Sequence, residues 1–361
     1  MDGWRVALLY NLKGQAAVAP ESPPDALAEL DTVETVQGLE DALLAGGHQV
    51  IPLEADETLL ERVREADPDI CFNIAEGRRG DARESQVPAL LEMLGIPYTG
   101  SKVLAHAISL DKAIAKRVWR DLGLPTAPFQ LFRSEDEPLD RALTFPLFVK
   151  PVREGSGMGI SSRSVVQDEP ALRERLRLVL SAYHQPALVE PFLPGREFTV
   201  GLIGNSIGPG EYAPKGYDRQ GFHVFPVLEI DLSPVEEAQG IYSSYTKSER
   251  PLDCNYLCPA PIDAALASEL QWLAVEAFRG IDALDVARVD FRLGADGRPY
   301  LMEINTLPGL NATYSDIVMA ARAEGMTYTD LVNEILNLAV DRYGLVWDRG
   351  FSRRRLLQRA I

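Results

Sequence analysis

The sequence predicts a chain that opens as a parallel α/β unit and continues as α+β, in two or three domains or subdomains. Three observations carry this. At 361 residues the chain exceeds what one ordinary core fills. Apolar runs and helical patterns alternate as strand, helix, strand, helix, strand from Val6 to Ile74, which is how a parallel sheet is laid down. Further on, two alternating apolar/polar runs meet at Asp296-Gly297, a strong short-range signal for an antiparallel hairpin.

The composition, 46% hydrophobic and 25% charged, is that of an ordinary soluble globular protein. A net charge of −17 argues against general nucleic-acid binding. It says little about any one cleft, so a local basic site for a phosphorylated ligand stays open. Cys71, Cys254 and Cys258 are too few for a disulfide framework, and Cys254-x-x-x-Cys258 has no partners at zinc spacing. Reduced thiols and a cytoplasmic location are expected. No apolar run approaches transmembrane length, and the opening Met1-Asp2-Gly3-Trp4-Arg5 lacks a signal peptide's long apolar region, so no membrane partner is expected.

Val6–Tyr10 is a short apolar strand. Asn11–Leu30, with Pro20, Pro23 and Pro24, reads as a loop. Asp31-Thr-Val-Glu34 has the capping-box pattern of a helix start, and Gly46-Gly47 stops that helix. His48–Leu53 is a second strand, Asp56–Ala66 a helix and Ile70–Ile74 a third strand. No Gly-x-Gly-x-x-Gly follows the first strand, so a nicotinamide-dinucleotide site has no support. The segment from Asn73 to Gln86 leaves the third strand and enters a helix over Val87–Leu94. Ligands of open α/β sheets bind beyond the carboxyl ends of strands. Glu76, Arg79, Asp81, Arg83 and Glu84 are therefore candidate substrate contacts, although each alone also reads as part of a charged solvent loop.

Gly95–Ser101 is a turn-rich joint. Lys102–Leu122 reads as one helix with Asp111-Lys112 inside it, ended by Gly123 and Pro125. Phe145–Pro151 is a strand that carries Lys150, and Glu154-Gly-Ser-Gly-Met-Gly159 follows. Closely spaced glycines let backbone amides approach an anion without a Cβ in the way, and a lysine just before them adds a point charge. Alone, such a loop is a weak signal and reads more readily as a flexible hairpin turn. It is not the Gly-x-x-x-x-Gly-Lys-Ser/Thr phosphate loop. Glu169–Tyr183 is an amphipathic helix. Ala187–Leu193 and Phe198–Ile203 are strands around a turn at Pro194–Glu197. Glu190 and Glu197 flank that turn, where carboxylates could accept from an adenine amino group or from ribose hydroxyls. Gly208–Phe225 is irregular and aromatic-rich, as lids and binding loops are. Pro226–Asp231 returns to strand, Lys247 falls in a Tyr/Ser-rich segment without clear structure, and Pro261–Arg279 is a helix.

The hairpin from Arg288 to Asn305 gathers the chemistry. A two-residue type I′ turn at Asp296-Gly297 sets Arg288 opposite Asn305 and Asp290 opposite Glu303, all on one face. It sets Val289/Ile304, Phe291/Met302 and Leu293/Tyr300 on the other, apolar face. Oxygen donors at this density suit a hard cation such as Mg²⁺ that is completed by water and phosphate oxygens. An arginine beside them can neutralise phosphoryl or oxyanion charge. By itself the polar face is as well explained by a solvated hairpin with a cross-strand ion pair. Thr306–Ser315 is a loop and Thr329–Arg342 a helix. The tail with Arg353, Arg354 and Arg355 reads as a solvated helix end.

In this order the pieces resemble the ATP-grasp superfamily, and more closely its D-alanine–D-alanine ligase family, from about residue 70 to 340. The most specific match is Arg288-x-Asp290 followed by Glu303-x-Asn305-Thr-x-Pro-Gly309. It is reinforced by Gly95-Ile-Pro-Tyr-Thr-Gly-Ser101 with Asp111-Lys112, by Val149-Lys150-Pro151 with Glu154-Gly155-Ser156, and by Glu190 with Gly195-Arg196-Glu197. The resemblance implies an ATP-grasp fold: a parallel α/β substrate domain over residues 1–105, then two α+β subdomains that clasp ATP, one over 106–197 with the glycine loop and one over 198–361 with the metal site. It implies that Lys112 and Lys150 hold ATP phosphates beneath Gly155, Ser156, Gly157 and Gly159. Glu190, Pro191 and Leu193 would line the adenine, and Glu197 would bind ribose. Asp290, Glu303 and Asn305 would hold two Mg²⁺ ions, which Mn²⁺ could replace. Arg288 at the oxyanion, Ser156 and Lys247 would serve catalysis. Glu76, Arg83, Gly309 and Ser315 would face the substrates, Ser315 near the serine that receives the acceptor carboxylate. A homodimer acting on small amino-acid, carboxylate and amine substrates is implied as well.

The chain also departs from the family pattern. There the first strand is followed by Gly-Gly-x-Ser-x-Glu, whose Glu holds the first substrate's amino group; here Asn11-Leu-Lys-Gly14 follows and no such Glu is found. The family's Tyr after its lysine is Ser248, and the His and Gly-Glu-Asp-Gly run near Asn73 are replaced by Glu76 and Gly80-Asp-Ala-Arg83. The loop before Ser315 is one residue longer, and Gly208–Phe225 has no counterpart of its length. All of these fall on the amino-acid side of the site. The expected activity is ATP-dependent joining of a carboxylate to an amine through an acyl phosphate, on D-alanine or on another amino acid or small carboxylate. A silent nucleotide-binding protein is the competing class, and the intact phosphate and metal residues oppose it.

Overall fold

The structure, a computed structural model, describes residues 3–15, 22–208, 213–235, 241–243 and 254–346. Lys247, residues 209–212 of the Gly208–Phe225 stretch and the arginine-rich tail lie outside the described residues.

The first sheet is parallel, as the alternating pattern predicts. β1 (Arg5–Tyr10) lies between β2 (Gln49–Glu54) and β3 (Ile70–Asn73), with α1 (Val33–Ala45) and α2 (Leu59–Ala66) as the crossovers. Val6–Leu9 have no solvent exposure, the mark of a strand covered on both faces. Thr32, not Asp31, caps α1, its hydroxyl accepting from the Thr35 amide at 3.4 Å. Asp31 is left to face elsewhere.

α3 (Gln86–Leu94) leads to a departure from the expected single helix over Lys102–Leu122. The chain forms α4 (Val103–Leu110) and α5 (Lys112–Asp121), broken at Asp111 in an extended conformation. The Asp111 carboxylate accepts from the amides of Ala113 and Ile114 at 3.1 and 3.0 Å. A short acidic side chain gains more as an N-cap than as a helix-interior residue. Lys112 thereby becomes the first residue of a new helix.

The second sheet is antiparallel, in the order β4-β7-β5-β6, from β4 (Gln130–Phe132), β5 (Leu147–Pro151), β6 (Val165–Val166) and β7 (Ala187–Pro191). α6 (Glu169–Tyr183) covers it with Leu172, Leu176 and Val179. The third sheet comprises β8 (Glu197–Gly204), β9 (Phe222–Val224), β10 (Leu228–Asp231), β11 (Asn255–Leu257), β12 (Asp285–Leu293) and β13 (Pro299–Asn305). Its order is β11-β10-β8-β12-β13, with β9 on β8. α7 (Ala264–Arg279) packs Leu270, Leu273 and Phe278 against Phe198, Val289 and Phe291 on one face of this sheet. α8 (Asp316–Ala323), between the expected loop that ends at Ser315 and the expected helix from Thr329, and α9 (Tyr328–Arg342) follow. Ile317 of α8 and Ile335 of α9 share a core with Leu8, Leu39 and Phe72 of the first unit.

The hairpin differs from expectation in two ways that cancel. Its loop is three residues, not two: Gly297 N donates to Gly294 O at 3.0 Å and Gly294 N to Arg298 O at 2.9 Å, with Gly297 at φ 75°. This is a type I turn closed by a left-handed glycine. Phe291 therefore pairs with Leu301 and Leu293 with Pro299, not with Met302 and Tyr300. A bulge between Asp290 and Phe291 then restores the expected pairs Asp290/Glu303, Val289/Ile304 and Arg288/Asn305. The extra residue is Met302, which turns to the polar side and lines a cleft with Glu303.

Candidate active site

β8, β12 and β13 build one wall. Strand alternation puts Thr199 and Glu197 of β8 on the same face as Arg288, Asp290 and Arg292 of β12, and the register sets Thr199 opposite Asp290 and Glu197 opposite Arg292. The Thr199 hydroxyl donates to Asp290 Oδ1 at 2.7 Å. Arg288 donates to the same carboxylate through Nε and Nη2 at 2.9 and 2.8 Å, and Asn305 Nδ2 at 3.3 Å. On its other side Arg288 Nη1 lies 3.2 Å from Asp316 Oδ2. Burial would lower the guanidinium's pKa, but the two carboxylates outweigh it and raise it. Glu303 Oε2 is 3.3 Å from Lys112 Nζ, and Glu197 Oε2 is 3.3 Å from Arg292 Nη1.

The second wall is the central sheet. Lys150 Nζ lies 2.8 Å from Glu190 Oε1, and Lys116 Nζ lies 2.8 Å from Glu190 Oε2, the latter an ion pair rather than an aligned hydrogen bond. Burial would raise the Glu190 carboxyl, but the two ammonium groups hold it down to about 2. The oxygens expected at the adenine are thus engaged by lysines. Lys116 was not singled out in the sequence, yet a signal existed: Lys112, Ala115, Lys116 and Trp119 form the buried stripe of α5 at helical spacing.

The glycine loop turns through positive φ at Ser156, Gly157 and Gly159, at 48°, 69° and 68°. Its amides meet carboxylates from the segment over residues 22–30. Gly155 N donates to Glu29 Oε1, and Gly159 N donates to Asp25 Oδ2 at 2.8 Å. Tyr183 OH donates to Asp25 Oδ1 at 2.8 Å. Arg83 clamps this strap to the loop, donating to Glu29 Oε1 at 2.7 Å, Glu154 Oε2 at 3.1 Å and the Arg153 carbonyl at 2.9 Å. Glu29 lies between β1 and α1, in the stretch Asn11–Leu30 that reads as a loop in the sequence, and no pattern there singles it out.

Several spaces adjoin these groups, one of about 20 Å³ being lined by Lys112, Gly155, Glu303 and Asn305. A narrow cleft of about 40 Å³ between the two sheets is lined by Phe148, Lys150, Glu197, Asp290, Met302 and Glu303. A cavity of about 500 Å³ is lined by Ser156, Arg288, Asn305, Gly309 and Ser315 together with the acids Glu29, Asp31, Glu76 and Glu84. Ser315 Oγ accepts from the Asn311 amide at 2.8 Å. Burial pushes Asp31 up to about 7. Burial, with Glu84 and Glu29 nearby, pushes Glu76 well above the carboxylate range. Gly159, Glu190, Pro191, Leu193 and Arg83 line none of these spaces.

Among the described residues no three His, Cys, Asp or Glu side chains converge on one point. The oxygens at hand are the Asp290 and Glu303 carboxylates and the Asn305 amide. That set fits Mg²⁺, which is commonly bound by one or two carboxylates with phosphate oxygens and water completing its shell.

A parallel sheet followed by two antiparallel sheets facing each other across a cleft of lysines and carboxylates defines the ATP-grasp fold. Solved structures share it: D-alanine–D-alanine ligase from Bacillus anthracis complexed with ATP gives a TM-score of 0.71 at 22% identity, covering 94% of this chain and 98% of that one. The family model described as D-ala D-ala ligase C-terminus matches residues 118–337. The D-alanine–D-alanine ligase of Bordetella petrii is 33% identical over 305 residues, 84% of this chain and 86% of that protein. An uncharacterised protein of Sinorhizobium fredii is 37% identical over 311 residues, again 84% of this chain and 86% of the relative. The chain belongs to the D-alanine–D-alanine ligase family of ATP-dependent, ADP-forming carbon–nitrogen ligases.

Proposed function

We propose that the protein joins two amino acids, D-alanine to D-alanine in the first instance, by phosphorylating one carboxylate with ATP and letting the second amine attack the acyl phosphate. One observation carries this reading. Asp290 lines the narrow cleft, Arg288 lines the larger cavity, and the two are 2.8 Å apart. A group activated at the cleft is thereby next to a cation suited to an oxyanion.

In this reading Lys112, Lys150 and the amides of Gly155, Gly157 and Gly159 bind ATP phosphates, Glu197 the ribose, and Pro191 and Leu193 flank the base. Asp290, Glu303 and Asn305 would hold Mg²⁺, which when bound neutralises charge on the phosphoryl group. Arg288 stabilises the tetrahedral oxyanion, Ser156 sits over the reacting groups, and Ser315 with Gly309 receives the acceptor carboxylate. Glu29, Asp31 and Glu76 face the substrate ammonium, a cation that relieves their mutual repulsion. The cleft is too narrow for a nucleotide as it stands, so the glycine loop and strap part for entry and close to exclude water. Among the described residues no helix is long and apolar enough to cross a membrane. A cytoplasmic homodimer is part of the proposal; the free thiols of Cys71, Cys254 and Cys258 support the location.

The test is ATP-dependent phosphate release with mass detection of products across D- and L-amino acids, singly and in pairs. D-Alanine alone is expected to give the dipeptide and stoichiometric phosphate. Tight Mg·ATP binding without a ligated product from any pair would overturn the reading.

A further inference from the structure

Three charges are buried together where α5, β5 and β7 meet. Lys116, Glu190 and Lys150 are 1%, 5% and 2% exposed. The carboxylate lies between the two ammonium groups, 2.8 Å from each. Only Lys150 lines the cleft that Asp290 and Glu303 also line. Lys116 lines none of the described spaces; its Nζ donates to the Thr126 hydroxyl at 2.7 Å and the Leu301 carbonyl at 3.3 Å.

A buried lysine paired with one carboxylate is a closed, neutral unit that offers little to a phosphate, and it costs desolvation to form. The second lysine changes that count. Lys116, Glu190 and Lys150 together carry one net positive charge, and the member that faces the cleft is Lys150.

We propose that Lys116 is a positioning residue for the nucleotide phosphates: by taking one oxygen of Glu190 it leaves Lys150 only half-neutralised, with its charge directed into the cleft. The inference rests on the reading above that Lys150 meets phosphate. Lys116 acts through Glu190 and touches no reacting atom. The Leu301 carbonyl that it binds belongs to the strand residue before Met302 and Glu303. The same ammonium therefore also ties the central sheet to the wall carrying the candidate metal oxygens.

Charge counting separates this role from a merely structural one. Lys116→Met leaves the set neutral, Glu190→Gln leaves two ammonium groups, and the double variant K116M/E190Q returns to one. Calorimetric binding of Mg·ATP and steady-state kinetics with ATP varied read the result. Lys116→Met is expected to raise KM for ATP by about tenfold or more, the loss of one charge-assisted contact, with a smaller change in kcat. Lys116→Arg is expected to keep the wild-type KM, and the double variant to recover most of the lost affinity. Glu190→Gln is expected to bind Mg·ATP at least as tightly as the wild type, which gives a second arm should Lys116→Met not fold. A folded double variant no better than Lys116→Met, or weakened binding in Glu190→Gln, would overturn the proposal. Failure of the wild type to bind Mg·ATP would instead overturn the reading on which it rests.

Discussion

At the scale of single residues, the structure turns charges that look alike in sequence into groups with opposite behaviour. Asp31 ionises near 3.8 when unfolded and near about 7 in the folded protein. Between those values the folded form holds a proton that the unfolded chain has lost, so stability falls as pH rises across that window. Asp31→Asn removes the slope. The variant is expected to match the wild type below pH about 4 and to unfold at a higher temperature at pH about 8; equal melting temperatures at pH 8 would contradict the assignment. Glu190 behaves in reverse. Held down to about 2, it contributes stability above its ordinary 4.5 that is lost as pH falls toward 2. Alternation and the Asp-Gly turn together made Arg288, Asp290, Glu303 and Asn305 legible, because a strand sorts side chains by parity and the longer loop and the bulge offset each other. Thr199 was not, because the strand begins at Glu197, which reads as part of the preceding turn. Lys116 was not, since a lysine on an apolar stripe more often snorkels to water than pairs inside. Asp316, which holds Arg288 from behind, sits on a short helix that no periodicity announced.

At the scale of elements, local chemistry explains both what the sequence showed and what it hid. The hairpin was legible as a hairpin, but its three-residue loop and its bulge were not. Asp-Gly serves a type I turn with a following left-handed glycine as readily as a two-residue turn. The helix break at Asp111 was hidden because the apolar stripe continues through it, while one carboxylate cap resets the chain. The glycine loop was legible from its glycines; its grip by the 22–30 segment was not, because contacts that span more than a hundred residues leave no local pattern. That grip is testable. Asp25 bridges the Gly159 amide and the Tyr183 hydroxyl. Asp25→Asn removes the charge from both bonds and is expected to speed amide exchange at Gly157–Ile160 by roughly tenfold while leaving β5 and β7 protected. Unchanged exchange there would show that the strap does not hold the loop.

At the scale of the whole molecule, the three sheets do not act alone. Asp285, wholly buried in β12, accepts from Arg342 Nε and Nη2 of α9 at 3.0 and 2.7 Å, from the Gly100 amide at 2.9 Å and from Asn205 Nδ2 at 2.8 Å. One carboxylate thus ties the joint after the parallel unit to the sheet that carries Arg288 and Asp290. The parallel order of the first sheet and the α+β character of the rest were legible because strand and helix patterns alternate cleanly. The shared core of α1, α8 and α9 was not, being a matter of packing between distant segments. Cleft and cavity meet at the Arg288–Asp290 pair, and the central claim is that a carboxylate activated at that junction is passed directly to an amine. The most direct measurement is isotope transfer: D-alanine labelled with ¹⁸O in its carboxylate is turned over with Mg·ATP, and the released phosphate is weighed by mass spectrometry. An acyl-phosphate route places one ¹⁸O in each phosphate released with dipeptide. Unlabelled phosphate would mean that ATP is hydrolysed without activating the carboxylate, and would contradict the account.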